Sequence, residues 1–124
     1  MEKLTAISQW TGRTMQIGEQ QIELVKPSSV ADCYDVLTAI GANAIRGQAA
    51  ALGMCARGDG RPVVRLKSKS AADWLAYGGA VVDYYAAKGL GVADWIEAAQ
   101  GALDLVSEAV TGTSSGEVKE AEGN

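Results

Sequence analysis

The stretch Val92–Val110, VADWIEAAQGALDLVSEAV, constrains this chain more than any other. Val92, Trp95, Ile96, Ala99, Ala102, Leu103, Val106 and Val110 recur at the i, i+3, i+4, i+7 spacing of one helix face. Asp94, Glu97, Asp104 and Glu108 fall largely off that stripe. The spacing predicts a long amphipathic helix, and such a helix persists only against a second apolar surface. With 124 residues in total, room for one compact domain, the rest of the chain must supply that surface.

The nearest candidate lies just upstream. Trp74, Leu75, Gly78, Val81, Val82 and Tyr85 form a second helical stripe, with Ser70 as its cap and Asp73 three residues on. It ends near Lys88-Gly89, a basic last turn followed by glycine. So short a link to Val92 favours an antiparallel pair, helices about 71–88 and 92–110. Two further helices are predicted, about 30–40 and 42–56. Ser29 caps the first, whose apolar side is Val30, Cys33, Tyr34, Leu37 and Ile40, and Gly41 is its expected stop. Ile45, Ala49, Leu52 and Ala56 form the stripe of the second, in which the alanines and Gly47 would allow a close neighbour.

Ahead of the helices the period changes from 3.6 to 2. Met15 and Ile17 alternate with polar residues, Gly18-Glu19 follows as a type II′ turn prefers, and Ile22 and Leu24 alternate again before Pro27 stops the run. This is a β-hairpin over 13–25. A lone hairpin is marginal in water, so its apolar face must lie on helices or its edge must pair with another strand. Leu4, Ile7 and Trp10 predict a short helical turn or a packed arm. The expected fold is α+β and mostly α: an N-terminal β-hairpin packed on a bundle of about four helices. The expected domain spans 1–110, with a flexible acidic tail over 111–124.

Charge and composition narrow the function classes. The formal charge of −4 disfavours a dedicated nucleic-acid binder. Yet Arg57, Arg61, Arg65, Lys67 and Lys69 cluster in a turn-rich segment, with Val63, Val64 and Leu66 as a short extended piece, and the acids concentrate after Asp73. That asymmetry suits contact with a partner or another copy, and the acids of 92–110 are the natural counterpart of the basic segment. The chain has no histidine, which removes the commonest general base and zinc ligand. Cys33 and Cys55 are expected as buried free thiols. No dinucleotide or phosphate loop accompanies Gly58-Asp59-Gly60. No catalytic, metal or cofactor site is expected, and no secretory leader or membrane span. The expected compartment is the cytoplasm. Trp74, Tyr85 and Trp95 should fill the core, leaving Tyr84 as the surface aromatic and a candidate interface anchor.

The segments RTMQIGEQQIELVKPSSVADCYDVL and ADWIEAAQGALDLVSEA carry a resemblance in the order of elements. A small hairpin leads through a proline into a helical body with a loose acidic end. This resembles the tail assembly chaperones of long-tailed bacteriophages. The resemblance covers about residues 13–110, with the basic segment 57–69 as a departure. It implies a non-enzymatic protein that coats a tape-measure protein and recruits tail tube subunits, in a host-cell cytoplasm. Partner binding would then fall on Met15, Ile17, Ile22 and Leu24 of the hairpin, on Tyr84, and on the basic residues. The alternatives are a small tail or connector subunit of the virion, forming an oligomer, and a regulatory or counter-defence protein acting through 57–69.

Overall fold

The computed structural model describes residues 12–58, 60–62 and 70–112. It is α+β and mostly α, with a three-stranded antiparallel sheet and four helices among those residues. The expected arm over 1–11, the extended piece over 63–66 and the tail beyond Gly112 lie outside the described residues.

Strands β1 (Gly12–Ile17) and β2 (Gln20–Val25) form the expected hairpin, with Met15 opposite Ile22 and Arg13 opposite Leu24. Gly18 takes φ +61° while Glu19 keeps a negative φ, the pattern of a type II′ turn, which only glycine enters without strain. A third strand, β3 (Ala56–Arg57), takes one edge of the hairpin, starting at Ala56, which the spacing assigned to the end of a helix. It pairs Ala56 with Leu24 and Arg57 with Glu23, on the side of β2 away from β1.

Helix α1 (Val30–Ala42) starts at Ser29, whose hydroxyl accepts from the Asp32 amide at 3.2 Å. It runs past Gly41. Asn43 ends it in an extended conformation, donating its N–H to the Ala39 carbonyl, and the same residue begins α2 (Ala44–Cys55) by accepting from the Arg46 amide at 3.0 Å. One residue thus closes one helix and opens the next. Helix α3 (Ala71–Ala87) carries a full capping box. The Ser70 hydroxyl accepts from the Asp73 amide, and the Asp73 carboxylate accepts from the Ser70 amide, each at 3.2 Å. Helix α4 (Val92–Thr111) begins with the Asp94 carboxylate accepting from the Gly91 amide at 2.7 Å and ends at left-handed Gly112.

The centre of the fold is α2, not the pair α3–α4. Gly47, Ala49, Ala50, Ala51, Leu52, Gly53 and Cys55 are all buried, and α1, α3, α4 and β2 pack around this helix. Its small side chains set how near the others come. A Cβ on Gly47 would lie 2.6 Å from Ile40 Cγ1 of α1, and one on Gly53 would lie 2.7 Å from Tyr77 Cζ of α3. On α3, a Cβ at Gly78 would lie 2.7 Å from the Arg46 carbonyl carbon, so the α2 and α3 backbones nearly touch. The predicted antiparallel pairing of α3 with α4 is corrected accordingly. These two helices meet near their link, where Tyr85 stacks on Trp95 at 6.5 Å, and otherwise make little contact with each other, each packing along α2 instead. Each finds more apolar surface on α2 than on the other.

Trp74, Tyr85 and Trp95 fill the core as expected, joined by Tyr77. Four apolar residues assigned to buried stripes instead face solvent: Val30, Tyr34, Ile45 and Val92. Among the described residues, Asp104 of α4 pairs with Arg13 at 3.7 Å and Glu108 with Lys26 at 3.9 Å, so the hairpin meets part of that charge. Both pairs are exposed enough to contribute little stability.

Candidate protein-binding interface

The hairpin residues assigned to partner binding divide sharply. Ile17, Ile22 and Leu24 are at most 2% exposed and belong to the core under α2 and α4. They cannot touch a partner while the fold is intact, which corrects their assignment. Met15 is half-buried, packed beside Gly101 of α4.

The basic residues do not form a strip among the described residues. Arg57 is exposed, but its guanidinium donates to the carbonyls of Ala56 at 2.8 Å and Met54 at 3.1 Å. It thereby satisfies carbonyls at the C-terminal end of α2, where a cation also suits the helix dipole. Arg61 is exposed in the turn after Gly58. Arg65, Lys67 and Lys69 lie outside the described residues. Tyr84 is half-buried, edge-on to Tyr85 at 5.2 Å, and Lys88 Nζ sits 4.6 Å above its ring. Its ring is covered by its own helix, which weakens it as an anchor.

The cysteines are free and buried, on α1 and at the end of α2. Burial raises both thiols, Cys55 to about 12, and the nearby Cys33 adds to the shift at Cys55. Both are therefore neutral thiols at physiological pH, poor nucleophiles that pack as small apolar groups. Among the described residues no three potential metal-binding side chains come together, and no helix is long and apolar enough to cross a membrane.

Two surfaces are uncovered among the described residues. The first is the outer edge of β1. Because the hairpin loop has two residues, Ile17 and Gln20 close the ladder as a hydrogen-bonded pair. Bonded pairs then recur at Met15 and Arg13, so the backbone groups of Thr14 and Gln16 point away from β2. No described strand lies on that side. The strand, GRTMQI, has no proline, lysine or bulge to stop such an edge from pairing, and its one charge, Arg13, is turned toward α4 and paired there with Asp104. The two-residue loop and the strand length are visible in the sequence, and they suffice to find Thr14 and Gln16. What the sequence hides is which side of the hairpin β3 covers.

The second surface is a ridge on α1, where Tyr34 is 56% and Val30 44% exposed, one turn apart. The apolar residues of α1 span too wide an arc for one buried face, and these two sit at its rim. Cys33, Val36 and Ala39 are its buried residues. Set against known protein families, curated proteins and solved structures, the chain matches none of them.

Proposed function

We propose that this chain is a non-enzymatic binding protein that holds another polypeptide. The open edge of β1 carries the proposal. A six-residue strand edge that no described strand covers, without proline or bulge, is a feature that natural folds use for pairing with another chain. The neutral buried thiols and the exposed Tyr34 ridge support a surface that recognises and does not react. The resemblance to tail assembly chaperones gives the partner its identity: a tape-measure protein, with tail tube subunits recruited to it.

Co-expression of the tagged chain with a tape-measure protein and a tail tube protein, followed by affinity capture in moderate salt, tests the proposal. Retention of the tape-measure protein at a defined ratio is the expected result. Capture of neither the tape-measure protein nor the tube protein removes this function.

A further inference from the structure

We infer that the outer edge of β1 takes up an extended segment of a partner polypeptide as an additional antiparallel or parallel strand, and that this segment carries basic side chains on its inward face. The inference rests on the polypeptide-binding function just proposed and specifies its interface. The backbone groups of Thr14 and Gln16 supply the ladder, as derived from the hairpin register.

The chemistry of the occupant follows from what lies beneath the lane beside β1 that no described strand fills. Helix α4 packs under the hairpin at Gly101, where an added Cβ would meet Leu24, Arg13 and Met15 at 3.5–3.6 Å. Asp104, three residues after Gly101, reaches Arg13 of β1 at 3.7 Å, and Glu97, seven residues before Asp104, falls on the same side of α4 by the helical repeat. Both carboxylates are exposed, with the Asp104 side chain 69% accessible. A strand added at the usual spacing of about 4.8 Å would place its inward side chains over these two acids. Seven helical residues separate them by about 10 Å, within reach of lysine or arginine side chains two or four strand positions apart.

The same placement disfavours a second copy of this chain. Two copies paired antiparallel through β1 would have a two-fold axis perpendicular to the joint sheet, putting both α4 helices on one face. Glu97 and Asp104 of each copy would then face those of the other, like charge against like charge across the seam. A basic segment answers the acids, whereas a second copy doubles them.

The probe is a blocked ten-residue peptide alternating lysine with valine or threonine, compared with its glutamate counterpart and with a version N-methylated at alternate residues. Binding is read from amide chemical shifts of the full chain. The lysine peptide should bind at least tenfold more tightly than the glutamate peptide, shift Thr14 and Gln16 most, and lose affinity on N-methylation. The double variant Glu97→Lys/Asp104→Lys should reverse the charge preference. Thr14→Pro removes an outward N–H without touching the ladder to β2 and should abolish binding; if that variant fails to fold, the N-methylated peptide tests the same point on the native chain. Equal binding of all three peptides, shifts centred on α1, or self-association through β1 would each overturn the inference. A tape-measure protein still captured by Thr14→Pro would sink this edge while leaving polypeptide binding in place. Loss of capture by the unmodified chain would instead remove the function itself.

Discussion

Gly78 and Gly79 are adjacent in the middle of α3, and replacing each with alanine should move stability in opposite directions. Alanine is a better helix former than glycine by about 1 kcal/mol, and that gain is common to both sites. The surroundings differ. A Cβ at position 79 would meet only Arg46 side-chain atoms, the nearest at 3.6 Å, an ordinary contact. A Cβ at position 78 would lie 2.7 Å from the Arg46 carbonyl carbon and 3.2 Å from its Cα. Backbone inside a helix cannot rotate away, so α2 and α3 must part by on the order of 1 Å, loosening the Gly53–Tyr77 contact as well. Overpacking of that kind costs about 3 kcal/mol, the upper part of the usual range. Gly78→Ala should therefore destabilise by about 2 kcal/mol, while Gly79→Ala stabilises by about 0.5–1 kcal/mol. The gap of about 3 kcal/mol is more than a hundredfold in the folding equilibrium. Urea titration followed by circular dichroism reads both, with the slope checked for constancy. If Gly78→Ala unfolds at or above the wild-type midpoint, the close α2–α3 crossing is wrong, and with it the central placement of α2.

Two further predictions concern features within the fold. Cys55 ionises at about 12 in the folded chain against an ordinary 9.0, so its contribution to stability is complete below pH 9 and is lost as pH rises from 9 toward 12. Unfolding free energy measured across that window should fall, and Cys55→Ala should flatten part of the slope; an identical slope in the variant would mean the thiol is not buried. Asn43→Ala should cost about 1 kcal/mol by removing the side-chain acceptor at the start of α2, with Asn43→Asp retaining most of it. Loss of less than a few tenths would show that the cap is not formed.

The parts of this fold that were legible in the sequence are those written in large side chains and in capping chemistry. Ser29 and Ser70 mark two helix starts, the Gly18-Glu19 pair fixes the hairpin register, and Trp95 marks the buried face of α4. What stayed hidden is written in alanine and glycine. Hydrophobic spacing picks out a face only when the buried residues differ from their neighbours in size and polarity. In α2, Ala49, Ala50, Ala51 and Gly53 are all buried, so burial on several sides leaves no stripe to read. The single stripe assigned to α2 therefore put Ile45 inside, although it is 40% exposed at the helix start. The open edge of β1 was half legible. The register follows from the loop, but the strand that covers the other edge is only two residues long and carries no alternation.

The position of α2 bears on how the molecule comes together. Twelve residues rich in alanine and glycine are too few to hold a helix in water unaided. Of its partners, α3 and α4 arrive only from later in the chain, and α1 and β2 alone leave much of its surface uncovered. The segment Ala49–Cys55 should exchange its amide protons only when the whole molecule opens, whereas Thr14 and Gln16 on the outer strand exchange from the native state. Cooperativity of that kind means that no shortened piece ending before α4 would keep the hairpin and α1 folded while presenting the strand edge. The surface proposed for binding exists only once synthesis has delivered α4.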